Sequence, residues 1–184
     1  MHVYLHGFAS SPQSSKGKLL SEWFIRHGKG HDFAAPELPV SPADVMRLFT
    51  DHIHLSPADT VIGSSLGGFY ATVVAERFGC HAVLLNPVVH ASRDLAKRVG
   101  INKNYHDGRS FEFHARYVDE LRGLEMGAIT FPQRYFLVAA TGDEVLDYKE
   151  MVAFYSGAKQ LVIQGSDHGI SDFEKYVSQV ARFS

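Results

Sequence analysis

Short apolar runs alternate with amphipathic stretches along almost the whole chain. The apolar runs have the length and the flanking glycines or prolines of buried strands. They lie at 3–6, 60–62, 81–85, 134–140 and 160–164. Strands that alternate with helical stretches are typical of a mostly parallel sheet with helices on both faces. The pattern therefore predicts an α/β fold that forms a single domain over 1–184.

The same pattern indicates where several helices begin. Ser15 precedes an apolar face at helical spacing, and Ser41 precedes a proline, which is a common first-turn residue. The stretch 66–78 is apolar almost all round, which is typical of a buried helix. The last helix is predicted to begin near Ser171, with Glu174 three residues on as in a capping box.

The segment 91–132 interrupts the alternation of strands and helices. Its pattern predicts two or three amphipathic helical pieces around a polar turn at 102–109. We expect a helical insertion over one end of the sheet, which either acts as a lid or packs as an ordinary part of the fold. Its apolar residues either line an acyl pocket or belong to the core. They are Phe111, Phe113, Tyr117, Leu121 and Leu124.

The composition is that of an ordinary globular protein, since 45% of the residues are apolar, 21% are charged and the net charge is −2. This balance does not favour nucleic acid or an acidic membrane surface as a partner. No apolar run approaches the roughly 20 residues that span a bilayer, and the first residues have the pattern of a strand, not of a secretory signal. Cys80 is the only cysteine, so no disulfide forms within the chain. These features predict a cytoplasmic protein.

Gly63-Ser64-Ser65-Leu66-Gly67 is the motif with the clearest chemistry. It matches G-x-S-x-G between a short apolar strand and a buried helix, which is the context of a nucleophile elbow. The tight turn projects the hydroxyl of Ser65, and Gly63 and Gly67 avoid collisions on either side. The following helix N-terminus favours negative charge. Ser65 is therefore the predicted nucleophile.

A serine hydroxyl needs a base to take its proton, and that base needs an orienting acid. Among eleven histidines, His168 lies in a loop after the last predicted strand, and the chain order serine, acid, histidine is that of α/β-hydrolases. Asp143 is nearest the end of the preceding strand and is the predicted acid. Asp147 and Asp167 remain alternatives.

The loop after the first strand is predicted to contribute to an oxyanion hole. One donor is expected to be the backbone N–H of Leu66, and the other that of Phe8. His6 and Gly7 support this loop, where Gly7 permits a close approach of the backbone. No pair of histidines has the spacing typical of metal ligands, so neither a metal nor another cofactor is predicted.

Five blocks of the sequence, in this order and spacing, resemble the bacterial YqiA-like esterases. The blocks are Tyr4-Leu5-His6-Gly7-Phe8 with Ser10-Ser11-Pro12, Gly63-Ser64-Ser65-Leu66-Gly67-Gly68, Leu85-Asn86-Pro87, Thr141-Gly142-Asp143-Glu144-Val145-Leu146-Asp147-Tyr148 and Asp167-His168. The resemblance spans nearly the whole chain and implies a small α/β-hydrolase fold. It implies a serine esterase for short acyl esters, with acyl-CoA thioesters as further substrates. It also implies the triad Ser65, Asp143 and His168 with the amides of Phe8 and Leu66 as the oxyanion hole.

Other functions remain open on the same residues. A serine, histidine and aspartate triad also serves thioesterases and enzymes that cleave amides or C–C bonds. A protein-binding module on a hydrolase scaffold is a second class of function. A dinucleotide site is disfavoured, because no G-x-G-x-x-G follows the first strand.

Overall fold

A computed structural model describes residues 1–183. Within these residues six strands form a parallel sheet, and two more form a separate antiparallel ribbon. The strands are β1 (His2–Leu5), β2 (Phe33–Ala34), β3 (Thr60–Ser64), β4 (His81–Leu85), β5 (Gly100–Lys103), β6 (Ser110–Phe113), β7 (Tyr135–Ala140) and β8 (Lys159–Ile163). The order across the sheet is β2-β1-β3-β4-β7-β8, which confirms the α/β prediction.

Helices cover both faces of the sheet, as the alternating pattern predicts. They are α1 (Ser15–Arg26), α2 (Pro42–Asp51), α3 (Leu66–Phe78), α4 (Ala91–Ala96), α5 (Ala115–Leu124), α6 (Tyr148–Phe154) and α7 (Val177–Ala181). Helices α1 and α7 pack on one face, and the others pack on the opposite face. Among residues 1–183 no helix is both long and apolar enough to cross a membrane.

The four central strands of the sheet, β1, β3, β4 and β7, each contribute side chains to two cores. Val3 and Leu5 point into the core beneath α3, whereas Tyr4 points into the core beneath α1. Successive side chains of a strand point to opposite faces, so a strand covered on both sides is apolar throughout. This is why the strands read as continuous apolar runs in the sequence.

The helical prediction for 91–132 was incomplete. Helices α4 and α5 lie in this segment, but β5 and β6 form an antiparallel ribbon between them. Polar and apolar residues alternate over 110–113, which is the period of a strand. The predicted polar turn connects the two strands, and Gly108 adopts a positive φ of 71° within it.

The observed ends of α3 and α1 can be compared with the ends that the sequence predicts. Helix α3 begins and ends where the sequence predicts, and it is buried over most of its length. The cap of α1 is Ser14, whose side chain accepts a hydrogen bond from the amide of Gly17, so the predicted cap Ser15 is wrong by one residue.

Candidate active site

Ser65 lies on a sharp turn between β3 and α3. It adopts a φ of 55°, which is uncommon for any residue other than glycine. A Cβ atom at Gly63 would lie 2.2 Å from the carbonyl oxygen of Gly67, and a Cβ atom at Gly67 would lie 2.1 Å from that of Leu5. Any side chain at either position would therefore collide with the backbone, and both glycines are required by the turn.

His168 contacts both Ser65 and Asp143. Its Nε2 atom lies 3.0 Å from Oγ of Ser65, and its Nδ1 atom lies 2.8 Å from Oδ2 of Asp143. A carboxylate only accepts, so Nδ1 carries the proton and Nε2 is the free acceptor for the serine hydroxyl. The other oxygen of Asp143 accepts from the amides of Val145 and Leu146, both at 2.8 Å. These bonds fix the buried carboxylate in the orientation that holds the imidazole.

The two alternative acids, Asp147 and Asp167, bind other groups. Asp147 caps α6, where its side chain accepts from the amide of Lys149 at 2.9 Å. Asp167 accepts from the amide of Ser171 at 2.8 Å. The structure thus brings Asp143, and neither alternative, into contact with the imidazole of His168.

Glu144 makes a contact that the sequence did not indicate. Its carboxylate accepts a hydrogen bond from the backbone amide of His168 at 3.0 Å. The loop that carries Asp143 therefore holds His168 by its main chain as well as by its ring. No local sequence signal identifies this contact, because the partners are 24 positions apart.

His6 and Gly7 place the loop after β1 directly against Ser65. Nδ1 of His6 donates to the carbonyl of Gly7 at 2.9 Å, and Nε2 accepts from the amide of Leu38 at 3.1 Å. Burial lowers the pKa of His6, and the hydrogen bond to Gly7 and the nearby Glu37 oppose this only in part. The neutral ring thus supports the loop from both nitrogens. A Cβ atom at Gly7 would lie 3.2 Å from Cβ of Ser65.

The amides of Phe8 and Leu66 follow these two turns. Within residues 1–183 neither amide donates a hydrogen bond to another backbone or side-chain group. The Phe8 ring packs edge-on against Phe111 and Phe113, with ring centres 5.5 and 5.3 Å away. The aromatic contacts hold the loop, and its amide stays free to bind a ligand.

A cavity of about 360 Å³ opens beside Ser65 and His168. Apolar side chains such as Val88, Leu95 and Leu146 line one part of it. Its other lining residues include the polar Ser14, Lys16 and Ser64 and the cations Lys97 and Arg98. Within the described part of the chain neither Lys97 nor Arg98 takes part in a salt bridge. Asp94 also lines the cavity, but Arg93 forms a salt bridge with it, so the cavity can hold an apolar group and attract an anionic one.

A second cavity of about 230 Å³ also borders the loop after β1. It shares Gly7, Phe8, Ser10 and Leu66 with the first cavity, and its remaining lining combines apolar residues with polar and charged ones such as Glu37 and Arg109. Of the aromatic residues of the 91–132 segment, Phe111 lines this cavity. The two candidate oxyanion donors thus lie where the two cavities meet.

Most of the other apolar residues of 91–132 belong to the core. Phe113, Tyr117 and Leu121 are buried there, and Leu124 packs against it. The turn of the ribbon is bound to the loop after β1, because the amide of Tyr105 donates to Ala9 and the side chain of Asn104 donates to Ser10. The ribbon therefore braces the loop that carries Phe8.

Comparison with known proteins supports the fold and the family. The model of an uncharacterised protein family, UPF0227, matches residues 1–184. Est1E from Butyrivibrio proteoclasticus, solved with ferulic acid bound, is 14% identical, with a TM-score of 0.67 over 98% of this chain and 86% of that one. Mouse alpha/beta hydrolase domain-containing protein 10 is also 14% identical, with a TM-score of 0.67 over 97% and 88% of the two chains. The Pyrococcus furiosus esterase Pf2001 is 19% identical, with a TM-score of 0.63 over 99% and 78%.

Proposed function

The chain belongs to the uncharacterised protein family UPF0227, and we propose that it is a serine esterase that hydrolyses small carboxylic esters. One observation carries the proposal: Ser65, His168 and Asp143 form an unbroken chain of hydrogen bonds that opens into a cavity. A nucleophile, a base and an orienting acid in this order are what acyl transfer requires.

Acylation begins when the ester enters the cavity beside Ser65. Nε2 of His168 takes the hydroxyl proton while Oγ forms a bond to the ester carbonyl carbon. The carbonyl π electrons move to oxygen, and Asp143 stabilises the imidazolium that results. The tetrahedral intermediate then collapses, the bond to the alcohol oxygen breaks, and His168 gives its proton to the departing alkoxide.

Deacylation repeats these steps with water as the nucleophile. His168 takes a proton from water, the hydroxide attacks the acyl carbon, and the bond to Oγ of Ser65 breaks. The proton returns to Oγ, and the carboxylic acid leaves. The two half-reactions together require only groups of this chain, the ester and one water molecule.

The amides of Phe8 and Leu66 supply the oxyanion hole in this mechanism. Both donate no other hydrogen bond within residues 1–183 and lie where the two cavities meet. The loss of one such donor typically lowers kcat by about 10²–10³-fold, because the donors bind the negative charge that develops on oxygen. The acyl group and the alcohol group of the ester then occupy the two cavities.

The solved relatives support an ester as the substrate class. Est1E and Pf2001 are named as esterases, and Est1E was solved with ferulic acid bound. Cavities of about 360 and 230 Å³ fit compact acyl and alcohol groups. We therefore expect short acyl esters to be the preferred substrates.

A thioester with an anionic leaving group, such as an acyl-CoA, is the second candidate substrate. The observation that favours it is the pair of cations Lys97 and Arg98 at the cavity beside Ser65. We expect Arg98→Ala to lower kcat/KM for butyryl-CoA more than for p-nitrophenyl butyrate, which carries no phosphate. An equal effect on both substrates would argue against the thioester.

Covalent labelling tests the proposed nucleophile. We expect a fluorophosphonate to add one phosphonyl group to the protein, with the adduct on Ser65 in a peptide map. The Ser65→Ala variant stays unlabelled and serves as the control. A folded wild-type protein that resists labelling would instead favour a binding module on a hydrolase scaffold.

A further inference from the structure

Buried side chains hold three consecutive carbonyl groups of the loop that carries His168. Nδ2 of Asn86 donates to the carbonyls of Asp167 and His168, both at 3.0 Å, and the ammonium of Lys16 donates to the carbonyl of Gly169. We propose that Asn86 and Lys16 are positioning residues that fix this loop and keep the imidazole between Ser65 and Asp143. The inference rests on the proposed function, since it concerns the base of that reaction.

The loop 165–169, which carries His168, is called the base loop here. Asn86 joins it to β7, the strand that precedes Asp143. It follows β4 and is fully buried. Its amide nitrogen has two hydrogens, and each has a carbonyl partner in the base loop. Its side-chain oxygen accepts from the amide of Ala140, the last residue of β7, at 2.8 Å. Asp143 follows three residues later, so one side chain sets both partners relative to each other.

The backbone of Asn86 fits this role. It adopts a φ of 43°, a conformation that asparagine tolerates better than most residues. The preceding carbonyl, that of Leu85, accepts from the amide of Ser65 at 3.0 Å. The end of β4 therefore contacts the nucleophile by its main chain and the base loop by its side chain.

Lys16, in α1, holds the same loop by a second contact. Its side chain is only 8% exposed, and burial is the main cause that lowers its pKa to about 8. A buried ammonium is unfavourable unless it has partners. Here it donates to Gly169, and the carboxylates of Asp143 and Asp167 act on it through space.

These contacts have a consequence for catalysis. Proton transfer requires His168 Nε2 to stay within hydrogen-bond distance of Ser65 Oγ, now 3.0 Å. A displacement of about 1 Å in a reacting group can lower the rate by about 10²-fold. Loss of the donors at Asn86 or Lys16 frees the loop to move, while Ser65, His168, Asp143 and the amides of Phe8 and Leu66 are all retained.

The test uses Asn86→Asp and Lys16→Met in the full-length protein. Asn86→Asp keeps the size and the oxygen that accepts from Ala140 but removes the NH₂ group. Lys16→Met keeps the apolar stem and removes the ammonium. We expect each to lower kcat for p-nitrophenyl butyrate by about 10- to 100-fold with KM within about 3-fold of wild type, because orientation and not binding is lost.

Matched controls separate this role from general stability. Gln160 donates in the same way to two carbonyls, those of Val152 and Tyr155, and none of these residues lines either cavity. Lys18 is exposed on α1. Gln160→Glu and Lys18→Met are expected to keep wild-type kcat.

A spectroscopic readout tests the inference independently of turnover. The low-field NMR resonance of the His168 Nδ1 proton reports its hydrogen bond to Asp143. We expect this resonance to weaken or disappear in Asn86→Asp and Lys16→Met and to persist in both controls. Wild-type kcat and an unchanged resonance in the folded variants would overturn the inference. If Asn86→Asp does not fold, Lys16→Met carries the test.

The two proposals fail in different ways. If the wild-type protein cleaves no ester and resists phosphonylation, the esterase proposal fails, while the Nδ1 resonance still shows whether Asn86 and Lys16 orient His168. If the wild type is active through Ser65 but the two variants match it in kcat and in the resonance, only the positioning role fails.

Discussion

Oγ of Ser65 lies 3.0 Å from Nε2 of His168, although the two residues are 103 positions apart in the sequence. The parallel sheet explains the contact, because the carboxyl ends of all its strands lie at one edge. Ser65 follows β3 and His168 follows β8, with β4 and β7 between them in the sheet. Asp143 follows β7, the strand next to β8, and its carboxylate contacts His168. The order β3, β7, β8 across the sheet thus matches the order Ser65, Asp143, His168 along the chain.

Replacement of the three candidate acids tests which one orients His168. In Asp143→Asn the side chain presents an NH₂ group, or a neutral oxygen, to Nδ1 and no longer stabilises the imidazolium. We expect kcat to fall by about 10⁴-fold, as for the equivalent change in other triads. Asp147→Asn is a matched control, since asparagine caps a helix as well as aspartate does. If Asp147→Asn or Asp167→Asn had the larger effect, the assignment of the acid would be wrong.

The turn at Ser65 predicts a contrast between two glycine substitutions. Gly63→Ala places a methyl group 2.2 Å from the carbonyl oxygen of Gly67, and such overpacking typically destabilises a protein by about 1–3 kcal/mol. At Gly123 in α5 a Cβ atom meets no atom within 4 Å. Gly123→Ala is expected to raise stability by up to about 1 kcal/mol, because alanine favours a helix. Thermal unfolding of both variants checks the contrast, and a lower Tm for Gly123→Ala or an unchanged Tm for Gly63→Ala would contradict it.

His2 predicts a loss of stability in mild acid. Burial, with the neighbouring N-terminal ammonium and Lys29, lowers the pKa of His2 to about 4, and neither ring nitrogen has a hydrogen-bond partner among residues 1–183. The unfolded chain binds this proton at a pKa of about 6.5, so protonation favours unfolding. This contribution to stability is complete above pH 6.5 and is lost as the pH falls toward 4.

His2→Phe removes the titration and keeps an aromatic ring beside Phe24, which now lies 4.7 Å from the imidazole. The measurement is Tm of both proteins between pH 7.5 and 4.5. We expect the wild type to lose more Tm than His2→Phe over this interval. Parallel curves would show that His2 does not contribute to the pH dependence.

The sequence predicts best where a local pattern determines the structure. Five strands of the sheet, α3 and the turn at Ser65 follow from apolar runs and from glycines that no other residue can replace. The order of these elements also predicts that Ser65, Asp143 and His168 meet at one sheet edge. The choice of Asp143 over Asp147 depended on distance along the chain alone, and its catalytic role stays a prediction.

The ribbon at 100–113 was not predicted, because its two four-residue strands contain no continuous apolar run. So few residues match a helical and a strand period almost equally well. The identity of the side chains that hold the base loop was also beyond local patterns. The sequence places Asn86 at the end of a strand and Lys16 in a helix, with no sign of these contacts. The carbonyls that they bind in the base loop lie at least 81 positions away.

The central claim is that Ser65 attacks an ester, and one comparison tests it most directly. The measurement is hydrolysis of p-nitrophenyl butyrate at pH 7.5–8 by the wild-type protein and by Ser65→Ala, with both shown to be folded. We predict turnover by the wild type and its near-complete loss in Ser65→Ala, because the members of a triad act as a unit. Equal turnover by the two proteins, or none by the wild type, would contradict the account.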